Sequence, residues 1–254
     1  MRRVRSALLS SRLGRAAKAP VRRSLAAVGY ELVPARQSER EFVLGLLRRQ
    51  RIDTLIDVGA NQGQYAEQFR NRGFTGRMIS FEPMGEAFAR LQRSAADDPL
   101  WEARLVALGS KAGSADLQVA ANSVSSSLLT IGALHVAAEP ASRTVRTETV
   151  PVSTLDAELA DEAAEHRYWL KLDVQGYERE VLLGAAEMLA HSRVVQCELS
   201  TRQLYAGQPR YLDVLPLLDD AGFTPVDVVP GFCDPATGEM LQFDVIAARV
   251  GAQT

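Results

Sequence analysis

Four acidic residues stand at the ends of apolar runs of strand length, and their positions are the first indication of chemistry in this chain. The four residues are Asp57, Glu82, Asp173 and Glu198. The carboxyl ends of parallel strands meet at one edge of a sheet, and open α/β sheets bind their ligands at that edge. The sequence therefore predicts that the four carboxylates converge on one ligand-binding crevice.

A glycine-containing turn follows the first of these runs. Gly59 and Gly63 flank Ala60 and Asn61, and helical spacing of apolar residues resumes at Tyr65. The order of strand, tight turn and helix is typical of nucleotide sites, and the first N–H groups of the helix are expected to face the crevice. A dinucleotide fingerprint needs a second glycine for the pyrophosphate, which is missing here. An acid beside the turn instead favours an amine-bearing ligand.

Glu82 and the residues around it favour an adenosine-type ligand. A carboxylate at the tip of the second strand can accept both hydroxyls of a ribose, and Pro83 follows it directly. A ribose without a pyrophosphate indicates S-adenosylmethionine as the cofactor. From its order in the chain, Leu108 at the end of the third predicted strand is expected to contact the adenine ring. In the alternative interpretation, Glu82 is only a strand-end acid before a proline.

Residues 171–178 carry the candidate catalytic groups. Asp173 is the candidate general base, at the end of the fourth strand where the methyl group of such a cofactor would point. Lys171, on the same strand face, would stabilise an alkoxide or hold Asp173 ionised. Glu178 would cap the following helix or bind substrate. Each also has a structural interpretation, as helix cap, ion-pair partner or dipole stabiliser.

Substrate contacts are predicted from a serine-rich loop at residues 122–129 and from nearby polar residues. This loop would act as a substrate lid, or it is an ordinary surface loop. The residues expected to contact substrate are Ser126, Ser127, His135 and Glu198. Mg²⁺ held by carboxylates is considered, but no tight ligand pattern is present and the interpretation favours a site without metal.

The elements that must position these residues form an α/β fold. Helical spacing predicts helices at residues 39–48, 86–95, 177–189 and 209–221. Apolar runs predict strands at residues 52–58, 78–82, 101–108, 168–174 and 193–199, then a closing antiparallel pair at 225–229 and 242–248. Residues 112–155 break this rhythm and predict a two-stranded insertion.

Composition and charge suggest one globular domain, at residues 31–254, after a basic extension. Of 254 residues, 46% are hydrophobic and 24% charged, and no apolar run approaches a membrane span. The chain contains only Cys197 and Cys233, which indicates a reducing, cytoplasmic location. Residues 1–30 carry basic but no acidic side chains. They would bind anionic lipid as an interfacial helix, act as a transit peptide, or remain solvated.

Several stretches together resemble the FkbM family of S-adenosylmethionine-dependent methyltransferases. These stretches are residues 56–63, 81–83, 126–128, 155–156, 171–178 and 181–185. The resemblance implies a Rossmann-like class I methyltransferase with a mostly parallel seven-stranded sheet and helices on both faces. It also implies O-methylation of a hydroxyl on a sugar, glycolipid or polyketide-type acceptor.

Other functions are weighed against this one. Nucleic-acid methylation is disfavoured by the acidic body of the chain, and because residues 173–176 replace the proline–aromatic turn that stacks a base in amino-methylating enzymes. Methylation of another small molecule, a non-catalytic adenosine-ligand binding protein and an oxidoreductase remain alternatives. The sequence leaves a homodimer and a peripheral membrane contact through the basic extension open.

Overall fold

The computed structural model describes residues 39–161 and 166–250. The chain divides into two units, Met1–Leu47 and Arg48–Thr254, and helix α1, Glu39–Gln50, spans the division. The basic extension predicted at residues 1–30, with its proposed lipid contact, lies outside the described residues. The domain boundary after residue 30 stays a prediction. No helix in the described part of the chain is long and apolar enough to cross a membrane.

Strands and helices alternate through most of the second unit. The described strands are β1 Thr54–Val58, β2 Arg77–Phe81, β3 Trp101–Arg104, β4 Ala107–Leu108, β5 Gly113–Ala120, β6 Thr144–Ser153, β7 Tyr168–Leu172, β8 Ser192–Ser200, β9 Thr224–Pro230 and β10 Gln242–Ala248. The helices that follow α1 are α2 Gln64–Arg72, α3 Gly85–Ala95, α4 Ala133–Ala138, α5 Leu155–Glu158, α6 Glu178–Leu183, α7 Ala186–His191 and α8 Tyr211–Asp220, with a 3₁₀ turn at Pro140–Ser142.

Seven strands form the main sheet, in the order β3-β2-β1-β7-β8-β10-β9. The first five of these pair in parallel, and β10 runs antiparallel to both β8 and β9. After β1 the chain adds β2 and β3 on one side of the sheet. After β7 it adds β8, β9 and β10 on the other side. Because crossovers between parallel strands are right-handed, helices α2 and α3 cover one face and α6 to α8 the opposite face. The predicted mostly parallel α/β fold is confirmed.

The core lies around the central strands of this sheet. Every residue of β1 and β7 is buried, as expected for strands that are covered on both faces. Trp169 of β7 is fully buried and meets Phe69 of α2 edge to face, with ring centroids 5.3 Å apart. This contact packs α2 against the sheet, while backbone pairing of β1 with β7 sets Asp57 beside Lys171.

The third predicted strand is interrupted, which corrects the prediction for residues 101–108. Strand β3 ends at Arg104, Leu105 is 46% exposed, and the chain then enters β4. Strand β4 pairs with β6, and β6 pairs with β5, so the insertion is a three-stranded sheet instead of the predicted hairpin. The run looked continuous because apolar side chains fill residues 105–108, although β3 and β4 belong to different sheets and only Trp101 of β3 is buried.

The helix predicted at residues 177–189 is also interrupted, and forms α6 and α7. At Gly184 a Cβ would collide with the carbonyl oxygen of Gly109, so only glycine allows this approach. The Asp156 carboxylate accepts the N–H groups of Glu187 and Met188 and so caps α7. The break could not be predicted, because the helical spacing of the apolar residues continues through it.

Candidate functional site

Asp57 is a buried carboxylate without a hydrogen-bond partner. It is 1% exposed and lies in register between Ser80 of β2 and Lys171 of β7. Neither of its oxygens has a hydrogen-bond partner among the described residues. Burial raises the pKa of Asp57 to about 6, although the charge of Lys171 opposes that rise. A buried charge of this kind is unfavourable until a cation or donor approaches it.

The turn after Asp57 packs backbone against backbone. Gly59 has a φ of +80°, and a Cβ there would collide with the carbonyl oxygen of Asp173. Gly63 has a φ of +94° and precedes α2 as its N-cap. Asn61 also has a positive φ, of 50°. The glycines therefore allow the turn to lie directly against the end of β7.

The N–H groups of this turn are already used within the protein. The N–H groups of Gly59 and Ala60 both donate to the carbonyl oxygen of Phe81, and the N–H of Gly63 donates to the carbonyl oxygen of Ala60. The N–H of Asn61 donates to Glu82 Oε2, and the N–H of Gln62 donates to Gln64 Oε1. All five distances are 2.8 to 3.0 Å. The N–H groups of residues 59–63 are therefore not free to bind a pyrophosphate, which needs such donors. The orientation of the first N–H groups of the helix toward the crevice stays a prediction.

Glu82 is held at the tip of β2, beside the turn. It is 6% exposed, its Oε2 accepts the N–H of Asn61 and its Oε1 accepts the N–H of Met84, each at 2.8 Å. Burial raises the pKa of Glu82 to about 7, against the effect of these two hydrogen bonds. Each oxygen keeps a second lone pair. Pro83 next to it is half-buried, and ribose binding by this pair stays a prediction.

Lys171 and Asp173 form an ion pair in which the lysine is buried and the aspartate is partly exposed. Lys171 Nζ lies 2.9 Å from Asp173 Oδ2, and the side chains are 6% and 34% exposed. Burial alone would raise the pKa of Asp173, but Lys171 holds it below its usual value. Burial alone would lower the pKa of Lys171, but nearby carboxylates raise it. Asp173 is therefore a charged carboxylate facing the crevice.

Glu198 lies beside Asp173, and one amide joins them. Gln175 Nε2 donates to Asp173 Oδ1 and to Glu198 Oε2, at 2.8 Å each, and Gln242 Nε2 donates to the same Glu198 oxygen at 2.6 Å. Burial and the charge of Asp173 raise the pKa of Glu198. Glu198 therefore holds its proton more tightly than a solvated carboxyl, while the pKa of Asp173 is lowered.

The four acids lie at one edge of the sheet, as predicted, although Glu198 stands two residues before the end of β8, level with Asp173. The charges of Asp57 and Asp173 both act on Glu82, and Gln175 connects Asp173 to Glu198. Lys171 is the cation that faces Asp57, Asp173 and Glu198. The crevice is thus rich in acceptors, and this arrangement suits a cationic ligand together with a hydroxyl-bearing one.

Glu178 holds the turn that carries Asp173. It is 4% exposed, and its Oε1 accepts the N–H groups of Val174 at 3.1 Å and Gly176 at 3.0 Å. Burial raises the pKa of Glu178 to about 7. These two bonds hold the turn before α6, and do not cap the helix itself. A part for Glu178 in substrate binding or catalysis stays a prediction.

The predicted lid residues face inward in this structure. Ser127 is 1% exposed and donates to the carbonyl oxygen of Gln175 at 2.7 Å. Ser126 is half-buried and accepts the N–H of Ala120 at 3.0 Å. His135 is 3% exposed and packs on Tyr205, with ring centroids 5.1 Å apart. These positions give Ser127 and His135 a packing role, and their contact with substrate stays a prediction.

Leu108 lies away from solvent in the main core. It is 2% exposed and belongs to the same cluster as Phe81 and Leu172. Its pairing in β4 with Ser153 of β6 places it in the small sheet. Contact of its side chain with an adenine ring stays a prediction. In the described residues, no three His, Cys, Asp or Glu side chains are grouped as metal ligands.

A family model identifies the chain. The model of the methyltransferase FkbM domain matches residues 57–225, from the unpartnered Asp57 to the start of β9. This chain belongs to the FkbM methyltransferase family. The match includes the turn, the Lys171 ion pair and the small sheet. No curated protein sequence matches the chain.

Solved structures of methyltransferases resemble this FkbM protein only distantly. Precorrin-6y C5,15-methyltransferase from Geobacter metallireducens has 12% identity and a TM-score of 0.45, over 87% of this chain and 92% of that one. A TehB-like methyltransferase from Corynebacterium glutamicum has 11% identity and a TM-score of 0.40, over 94% and 100%. At these values the likeness adds nothing to the strand order observed above.

Sequence reasoning assigned no role to Gln175 and Tyr205 of this FkbM chain. Gln175 stands in the turn after Asp173, and Tyr205 donates to its side-chain oxygen at 2.6 Å. The only available signal was the position of Gln175, directly before a glycine in a short turn. Tyr205 lies in the loop after β8, whose path was not predictable from the chain alone.

Proposed function

We propose that this FkbM methyltransferase uses S-adenosylmethionine to methylate a hydroxyl of a sugar, glycolipid or polyketide-type acceptor. The observation that carries the proposal is the ionised Asp173 carboxylate, 34% exposed and packed against the turn of Gly59. A general base directly beside a cofactor turn is what methyl transfer to a hydroxyl requires, because free alcohols hold their protons tightly.

The residues around the turn fit the cofactor. The unpartnered Asp57 carboxylate would hold the ammonium group of the cofactor's amino-acid end, and the absence of free turn N–H groups at residues 59–63 suits a ligand without phosphate. Glu82, fixed by two backbone N–H groups, would accept the ribose hydroxyls. When bound, S-adenosylmethionine supplies an electrophilic methyl group on a sulfonium.

Asp173 and Lys171 would perform the proton chemistry. The acceptor hydroxyl loses its proton to Asp173 as its oxygen bonds to the methyl carbon, and the electron pair of the broken carbon–sulfur bond stays on sulfur. Lys171 keeps Asp173 ionised before this step. Alignment of the reacting groups contributes up to about 7–11 kcal/mol in favourable cases, and a poised base adds ~10²–10⁴-fold.

The turn at residues 173–176 favours a hydroxyl over a nucleobase. It contains Asp173, Val174, Gln175 and Gly176 and has no aromatic side chain on which a base could stack. Its polar side chains are one carboxylate and one amide, which suit hydrogen bonds with the hydroxyls of a sugar. The glycolipid option rests on the basic residues 1–30, which lie outside the described part of the chain.

Labelled methyl transfer tests the proposal. The purified protein is incubated with methyl-labelled S-adenosylmethionine and, separately, with glycolipid, soluble glycan, nucleic-acid and protein fractions. We expect label in a glycan or glycolipid fraction, as an alkali-stable methyl ether. Asp173→Asn should bind S-adenosylhomocysteine within about threefold of the parent and lose at least about 100-fold in turnover, because it cannot take the proton.

The control is Asp219→Asn, an exposed position in the last turn of α8. That end of α8 leads into β9, which is the outermost strand of the main sheet on the β8 side. Asp219 is therefore away from the site, and this variant should keep parental turnover. Label that appears only in nucleic acid or protein would contradict the proposed acceptor class. An Asp173→Asn enzyme with parental turnover would remove Asp173 as the base.

A further inference from the structure

Gln175 occupies an unusual backbone position. Its φ is +54°, in the left-handed region that residues other than glycine, asparagine and aspartate seldom adopt. Gly176 follows with a φ of +97°, so the chain turns sharply between β7 and α6. Such a conformation persists when the contacts of the residue outweigh its strain. The side chain of Gln175 makes those contacts.

The nitrogen and the oxygen of the Gln175 side-chain amide both have hydrogen-bond partners. Its nitrogen donates to Asp173 Oδ1 and Glu198 Oε2, both at 2.8 Å, and its oxygen accepts from the Tyr205 hydroxyl at 2.6 Å. With the amide reversed, its oxygen would face two carboxyl groups. The two N–H donors therefore point at the acids, and the amide orientation is set by its surroundings.

Neighbouring loops hold Gln175 in place. The Ser127 hydroxyl donates to the Gln175 carbonyl oxygen at 2.7 Å, and the Tyr205 hydroxyl also contacts the carbonyl oxygen of Ser125 at 3.1 Å. Tyr205 is fully buried. Gln175 is therefore joined to the loop at residues 122–129 and to the loop after β8, while its amide reaches the reacting carboxylate.

We infer that Gln175 is a positioning residue for methyl transfer, which holds the Asp173 carboxylate ionised and directed to the crevice and keeps Glu198 beside it. The inference rests on the proposed function of Asp173 as base. Lys171 binds one Asp173 oxygen and Gln175 the other, so the carboxylate is fixed at both oxygens. The charged groups that act on this pair are Lys171 of β7, Glu178 of α6 and Asp244 of β10, and Asp173 also interacts with Asp57 of β1 and with Glu82 after β2.

Gln175→Asn tests this role without methyl transfer. Asparagine accepts the left-handed backbone more readily than glutamine, but its amide is one methylene short of bridging both acids. The readout is the carboxyl ¹³C NMR titration of the unliganded full-length protein, with the Asp173 signal assigned by its loss in Asp173→Asn. We expect the Asp173 midpoint to rise by about one pH unit, because its charged form loses a donor.

Two further variants make the test decisive. Gln203→Asn, at an exposed position of the loop after β8, should leave the midpoint unchanged. Tyr205→Phe removes only the contact that orients the amide, and should raise the midpoint by a smaller amount. An unchanged Asp173 midpoint in folded Gln175→Asn would overturn the inference. If Gln175→Asn does not fold, an unchanged midpoint in Tyr205→Phe would do so.

The outcome is separate from that of the proposed function. An active Asp173→Asn enzyme would end the assignment of Asp173 as base, yet the Asp173 midpoint would still respond to Gln175. Conversely, an unresponsive midpoint would remove Gln175 as the positioning residue and leave the methyl-transfer result untouched.

Discussion

At the scale of single residues, the site is defined by buried acids whose pKa values are raised. Asp57 has no hydrogen-bond partner among the described residues, and its pKa rises to about 6. Glu82 is almost as deeply buried and has a pKa of about 7. Unpaired buried carboxylates destabilise a folded chain, and strongly perturbed pKa values cluster at functional sites. The site is thus built for a ligand that neutralises it.

Asp57→Asn should separate binding from stability. We expect affinity for S-adenosylhomocysteine to fall about 10- to 100-fold, because its ammonium group loses a charge-assisted partner. At pH 8 the unfolding free energy of the unliganded protein should rise by about 1–2 kcal/mol, because a buried charge is removed. Calorimetry and urea unfolding measure the two effects, and Asp219→Asn should show neither. Unchanged affinity would argue against an ammonium site at Asp57.

Which acids face the crevice was predictable from the chain, but their environments were not. Strand-end positions placed Asp57, Glu82, Asp173 and Glu198 at one edge, because strand polarity alone decides that geometry. The bridge made by Gln175 depends on a left-handed backbone and on Tyr205 from a distant loop. Burial of His135 depends equally on tertiary packing. Contacts of this kind have no local signal in sequence.

At the scale of elements, the β1 turn and the end of β7 form one backbone contact. The Asp173 N–H donates to the Val58 carbonyl oxygen at 3.0 Å, which continues the pairing of β1 and β7 beyond Val58. Gly59 comes next and has no space for a side chain. The turn at residues 59–63 and the candidate base are therefore connected through main-chain atoms, whose positions vary less than those of side chains.

Gly59→Ala should disrupt this contact, and Gly73→Ala provides a matched control. Both glycines have a positive φ, but a Cβ at Gly73 meets nothing within 4 Å. Gly73→Ala should lower the unfolding free energy by about 1–2 kcal/mol through backbone strain alone. Gly59→Ala should lower it by at least about 2 kcal/mol more and abolish S-adenosylhomocysteine binding in calorimetry. Equal losses for the two variants would contradict the proposed steric role of Gly59.

The bounds of strands and helices were predicted best where the spacing of apolar residues changes at the same point as their burial. Strands β1, β2, β7 and β8 are confirmed because each is a short apolar run that ends at a turn. The breaks at Leu105 and Gly184 were missed, because apolar spacing continues across both. Each break is caused by a neighbour from another part of the fold, namely the partner strand β6 and the carbonyl group of Gly109.

At the scale of the whole molecule, stability should depend on pH in an unusual direction. Burial raises the pKa of Asp57 to about 6 and that of Glu82 and Glu178 to about 7. For such groups the folded chain binds more protons than the unfolded one, so stability is lost as pH rises through the folded-state pKa values. His135, whose pKa burial lowers, acts in the opposite direction.

Urea unfolding of the unliganded protein at pH 5.5 and pH 8 measures this dependence. The pKa of Glu198 is raised as well, so four acids outweigh one histidine, and the unfolding free energy should fall by about 3 kcal/mol or more between these values. Saturating S-adenosylhomocysteine should reduce the fall, because its ammonium group pairs with Asp57. Asp57→Asn should also reduce it. A flat or rising profile would mean that these carboxyls are better solvated than their burial indicates.

The direct pairing of β1 with β7 brings together residues that are far apart in the chain. Asp57 and Lys171 are neighbours in the sheet although the whole small sheet of β4, β5 and β6 lies between them in the chain. Their spacing is set by strand register, so it does not depend on the length of the intervening segment. The small sheet can therefore change in length or sequence while the Asp57 carboxylate and the Lys171 ammonium group keep their positions relative to each other.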